Sequence, residues 1–121
     1  MSLIDITIEE ILRRKLTSVA VLSSPLTQRT GLFIDRLKAI NVECIGQNAD
    51  EAHQTEKIIR QIIAGQNKDE SMLDNQIMAL VKRGAEGVVL GCTELSVLGA
   101  KHNANHTIDP LRLVTENIFN N

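Results

Sequence analysis

The chain has 121 residues, 43% of them apolar, and a formal charge of −2. That is enough for one globular domain with its own core, and it excludes a disordered segment. With no basic run, no Trp or Tyr, and only Phe33 and Phe119 as aromatics, the chain lacks the charge and stacking surfaces of a nucleic-acid binder.

No apolar run approaches the roughly 20 residues that cross a bilayer, so no membrane partner is expected. Asp5, Glu9 and Glu10 come too early for a signal peptide. Cys44 and Cys92 are too few for a disulfide framework. These features together predict a reduced, cytoplasmic protein.

In chain order, Ile4, Ile8, Ile11 and Leu12 recur at helical spacing. They predict an amphipathic helix over 5–15, with Glu9, Glu10, Arg13 and Arg14 on its polar face. Thr17 to Leu22 is β-branched and apolar, a first buried strand. Ser23-Ser24-Pro25-Leu26-Thr27 then forms a strand-to-helix loop with Pro25 near the first helical turn. Leu26, Phe33, Leu37 and Ile40 give one following helix its apolar stripe, stopped near Asn41. Val42 to Ile45 is a short second strand. The helix over 50–63 gathers Ile58, Ile59, Ile62 and Ile63 on one face. Leu73, Ile77, Leu80 and Val81 mark another helix, ended by Gly84. Val88-Val89-Leu90 is an unbroken apolar run, as in a strand covered on both faces. A short helix follows from Thr93 to about Gly99, then a polar loop from His102 to His106. Thr107-Ile108-Asp109 is a last brief strand, and Leu111, Val114 and Ile118 mark the final helix.

Strands alternating with helices predict an α/β fold: a single three-layer domain over 1–121 with a small parallel four-stranded sheet in the order 2-1-3-4, flavodoxin-like. In that order strands one and three are neighbours whose crossovers leave on opposite faces. Open α/β sheets bind ligands beyond the carboxyl ends of strands at such a point. The loops Ser23–Thr27 and Gly91–Glu94 would meet there.

Cys92 is the leading candidate for chemistry. It follows a strand and precedes a helix whose N-cap is Thr93, and a helix amino end lowers a thiol pKa. Glu94 pushes the other way. A small buried apolar residue closing the strand is the structural alternative. Ser24 and Thr27 offer hydroxyls to a carboxylate, or simply cap their helix. Cys44 reads as core. His53 reads as solvated, and His102 and His106 lack partners at ligand spacing, so no metal site is expected. Gly84, Gly87 and Gly91 are too scattered for a dinucleotide fingerprint.

Gly84-Ala85-Glu86-Gly87-Val88-Val89-Leu90-Gly91-Cys92-Thr93-Glu94 resembles the second catalytic-cysteine motif of the aspartate/glutamate racemase superfamily, on the aspartate racemase side. Glutamate racemases usually have His after Cys-Thr, where this chain has Glu94. The family places a Gly-Thr-x-x-Thr-like loop after the first strand, and Ser24 and Thr27 keep a hydroxyl at both threonine positions. Leu3-Ile4-Asp5-Ile6, Ile62-Ile63-Ala64-Gly65 and Ile108-Asp109-Pro110 follow in the family's order. The resemblance covers nearly the whole chain as the second, carboxyl-terminal lobe.

It implies an isomerase that inverts an amino-acid α-carbon without a cofactor, using two cysteines on opposite faces of the substrate. Cys92 would be one of them. Thr93, Glu94, Ser24 and Thr27 would bind an amino acid such as aspartate or glutamate. Ile63 stands where some aspartate racemases carry a basic residue for the side-chain carboxylate, so aspartate is one candidate among several. The first lobe's Cys-Asn-Thr motif is absent from these 121 residues, and Cys44 lies in the same sheet, not across a cleft. A missing amino-terminal lobe or a homodimer would have to complete the site. The alternative is a non-catalytic carboxylate- or partner-binding module that keeps the cleft without the chemistry.

Overall fold

The computed structural model describes residues 3–66, 71–91, 95 and 106–119. Its elements are α1 (Leu3–Arg14), β1 (Ser18–Leu22), α2 (Pro25–Thr30), α3 (Leu32–Ala39), β2 (Glu43–Ile45), α4 (Ala49–Ile63), α5 (Ser71–Lys82), β3 (Gly87–Leu90), β4 (Thr107–Ile108) and α6 (Pro110–Phe119). The strands form one sheet in the order β2-β1-β3-β4. All three pairings are parallel, with Ser18 opposite Glu43, Leu22 opposite Leu90 and Val88 opposite Thr107. The expected α/β fold and strand order are therefore what the chain adopts.

Two-residue alternation along the strands divides the core. Ala20, Leu22, Val88 and Leu90 pack with Ile58 and Ile59 of α4 and with Leu73, Ile77 and Leu80 of α5. Val19, Val21, Val89 and Ile108 pack on the other face with Ile8 and Ile11 of α1, Leu37 of α3 and Leu113 of α6. The sheet is thus the middle of three layers. Val19, Leu22, Val88 and Val89 are completely buried. That explains why β1 and β3 read as apolar runs and not as alternating strands.

Four expectations change. The stripe Leu26-Phe33-Leu37-Ile40 does not belong to one helix. Gly31 adopts φ 69 and breaks it into α2 and α3, a left-handed conformation that glycine takes without steric cost. Glu10 is not on a solvated face. It is 9% exposed, and its carboxylate accepts hydrogen bonds from Arg13 Nε at 2.8 Å and Arg14 Nε at 2.6 Å. Arg14 Nη1 in turn donates to the Thr107 carbonyl at 3.2 Å, tying α1 to β4. The Arg13 hydrogen bond holds the Glu10 carboxyl below its usual range; burial opposes this and Arg14 adds to it. Leu12 and Ile63, placed on apolar faces by spacing, are exposed. On α6, Leu111 is exposed and Leu113 packs on the core instead.

The helix ends follow local chemistry. Asn48 caps α4 reciprocally: its side chain accepts from Glu51 N at 2.8 Å and its own N–H donates to Glu51 Oε1 at 2.8 Å. Glu51 also pairs with Arg83 at the end of α5. Asn41 takes φ 59 just after α3, the left-handed stop that asparagine tolerates. Asp109 Oδ1 accepts from Leu111 N at 3.1 Å, so it caps α6, with Pro110 as the first helical residue. Among the described residues, no helix is long and apolar enough to cross a membrane.

Candidate functional site

The site is built outward from Gly91, the residue after β3. Its N–H donates to the Leu22 carbonyl at 2.7 Å, so the β1–β3 pairing runs on one residue past the end of β3. A Cβ at position 91 would lie 2.7 Å from Leu22 O, 2.9 Å from Val21 Cγ1 and 3.1 Å from Ser23 Cβ. Real Cβ atoms do not come that close to backbone, so the two chains can meet here only because position 91 is glycine. Ser23, just after β1, and Gly91, just after β3, are therefore side by side, as the strand order requires.

After β1 the chain passes into α2 and α3, and α3 packs on the Ile8–Leu37 face. After β3 it passes to Leu95, which is fully buried in the Ile58–Leu80 cluster on the other face. The crossovers leave on opposite sides, which makes β1/β3 the switch point.

Ser24 is half-buried between β1 and α2, and Thr27 lies within α2. Cys92, Thr93 and Glu94 lie outside the described residues. The structure thus brings Ser23 up to Gly91, the residue that immediately precedes Cys92 in the chain.

Two further residues fix this loop. Gln47, just past β2, donates from Nε2 to the Ser23 carbonyl at 3.1 Å. Thr55 of α4, 1% exposed, donates from Oγ1 to Gln47 Oε1 at 2.7 Å. Sequence reasoning missed both. The available signal was a polar residue directly beyond the carboxyl end of β2, where a parallel sheet presents its ligand-facing loops.

Cys44 is poorly placed to act as a thiolate. It packs against the apolar cluster on the α1 face, and burial pushes its thiol pKa up, away from the thiolate that reacts. Asp109 is 8% exposed and engaged in capping α6. A groove of about 590 Å³ runs between α1 and α6, lined by Glu10, Arg13, Arg14 and Arg112 among others. It lies away from Gly91, and its arginines already pair with Glu10 and Glu116. Among the described residues, no three His, Cys, Asp or Glu side chains gather to hold a metal.

Comparison with known proteins agrees with this geometry. The family model for Asp/Glu/hydantoin racemases matches residues 1–117. An uncharacterised protein encoded in the 3′ region of pnlA in Pectobacterium carotovorum subsp. carotovorum is 28% identical over 102 residues, covering 81% of this chain and 66% of its own length. An aspartate racemase homologue from Pyrococcus horikoshii OT3 superposes over 99% of this chain and 54% of its own, with a TM-score of 0.80 and 26% identity. The aspartate racemase of Picrophilus torridus shares the fold over 96% of this chain and 52% of its own, with a TM-score of 0.70 and 20% identity. The chain spans just under two thirds of the curated relative's length and about half of each solved structure. The match over nearly its whole length shows that this chain belongs to the Asp/Glu/hydantoin racemase family.

Proposed function

We propose that this chain is one lobe of a cofactor-independent amino-acid racemase and that it contributes Cys92 as one of two acid–base groups. The supporting observation is the close approach of Gly91 to Leu22 and Ser23 at the switch point. The motif cysteine comes next in sequence to that contact.

On this reading the Ser24 and Thr27 hydroxyls, with Thr93 and Glu94, hold the amino acid by its carboxylate and amino group. Cys92, as thiolate, takes the α-proton, or as thiol returns one. Inversion needs a second base on the opposite face, because a lone base hands the proton back to the side it came from. The carbanion formed between the two steps is stabilised by the hydrogen bonds around the carboxylate. The whole 121-residue chain acts as one domain in this role, inside the cell, with an amino acid as its small-molecule partner. The opposing base comes from another lobe or another copy.

Alkylation of Cys92 tests this, with Cys44 as internal control. Iodoacetamide near neutral pH should label Cys92 well ahead of Cys44, and amino acids should protect it in proportion to their binding. Labelling of both thiols at the same slow rate, with no protection by any amino acid, would remove the catalytic reading.

A further inference from the structure

Ser23 is 1% exposed, and its Oγ has no hydrogen-bond partner among the described residues. Buried hydroxyls are almost always paired, so an orphan at a strand's carboxyl end calls for a cause. Two residues before it, Val21 faces the α1/α3/α6 layer. Ser23 shares that face and lines a small pocket with Val21, Gly31, Phe33, Ile34 and Cys44. The pocket measures about 40 Å³. A water needs roughly 10–15 Å³ of such space, so there is room for about two or three heavy atoms.

The pocket also meets the amino end of α3. Gly31 stands at the N-cap and offers no side-chain cap to the first amides of that helix. An oxygen acceptor would therefore find both a hydroxyl and the positive end of a helix. Among the described residues, no Lys, Arg or His lines the space. The Asp35 carboxylate already stands beside Gly31, with Oδ2 3.9 Å from the position of a Cβ there. A second carboxylate would meet Asp35 and an apolar wall with no cation to offset its desolvation. A neutral oxygen meets neither penalty. Leu32 and Ile34, 56% and 38% exposed, line the pocket on its solvent side.

We infer that this pocket is a subsite for a small uncharged, oxygen-bearing group, such as a carboxamide or hydroxyl, and that Ser23 Oγ is its hydrogen-bonding residue. Ser23 touches Gly91, so the pocket opens beside the proposed cleft. Its use as the side-chain subsite of an amino-acid substrate rests on the function proposed above.

Titration of the ¹⁵N-labelled chain separates the two claims. Acetamide should shift the amides of Ser23, Gly31 and Cys44, and acetate should not. Ser23→Ala should weaken acetamide about fivefold, the worth of one neutral hydrogen bond. The same variant should leave the urea midpoint unchanged, because no protein hydrogen-bond partner is lost with the hydroxyl. A purely structural serine would lower that midpoint. Equal shifts with acetate, no shifts at all, or a destabilised Ser23→Ala would each overturn the subsite.

In the alkylation assay asparagine should protect Cys92 at lower concentration than aspartate. Better protection by aspartate would overturn the substrate assignment while leaving the catalytic thiol standing. Acetamide shifts without protection by any amino acid would overturn the catalytic reading and the side-chain assignment that rests on it, and leave only the neutral-oxygen subsite standing.

Discussion

At the scale of single residues, the foot of β1 depends on Glu86. Its Oε1 accepts from Thr17 N and Thr17 Oγ1 at 2.7 Å each, and from Ser18 N at 3.1 Å. The Thr17 side-chain hydrogen bond is the main cause that holds this carboxyl below its ordinary pKa, with the two backbone donors adding to it. A depressed folded-state pKa contributes stability that is complete above the unfolded-state pKa and is lost as pH falls through the folded value. Glu86→Gln should therefore lower the urea midpoint at neutral pH. The gap from the parent chain should close as pH falls through that folded value. A gap that persists unchanged into strong acid would show that shape, not charge, carries the effect. Neither this clamp nor the Glu10 clamp was legible in the sequence. Glu86 is one acid in a glycine-flanked turn, and its donors are 68 and 69 residues away in the chain. The spacing of Glu10 puts it with its arginines on a polar face, and only the packing of α6 against α1 closes that face over.

At the scale of elements, the strands were easy to find and one helix was not. Val88-Val89-Leu90 and Val19-Ala20-Val21-Leu22 are buried on both sides, so unbroken apolar runs marked them. The stripe through Phe33 and Leu37 kept helical phase across a glycine, and a glycine inside a helical pattern is common enough to pass unnoticed. Its conformation, φ 69, is what separates α2 from α3. An alanine there would hold a left-handed backbone at a cost of about 1–2 kcal/mol. Gly31→Ala should lose that amount in equilibrium urea unfolding, and Gly31→Asn should lose less, since asparagine visits this region more readily. Space is not the obstacle: the nearest side-chain atom to an added Cβ is 3.9 Å away. Equal losses for the two variants would mean that the break is held by something other than backbone preference.

For the whole molecule, strand order was readable because only two kinds of segment alternate, and a parallel sheet needs each crossover helix to cover a face. Order 2-1-3-4 then fixes which loops meet, and Gly91 against Ser23 is that meeting seen in atoms. What the sequence could not show is the tether Thr55–Gln47–Ser23, which joins α4, the end of β2 and the end of β1. Its members are ordinary polar residues until the fold assembles them. The same view of the whole bears on what the proposed function asks of one lobe. It holds two cysteines. Cys44 is packed into one core layer of the sheet, so the proposed function does not take it as the opposing base. On the proposed function, the chain incubated with L-aspartate or L-asparagine should form no D-enantiomer above the level of Cys92→Ser, as read by chiral chromatography. If two copies instead joined their clefts, inversion would appear and its specific rate would climb with protein concentration. A Cys92-dependent inversion that stays constant per chain on dilution would mean that one lobe holds both proton-transfer groups, and the two-base reading would have to be abandoned.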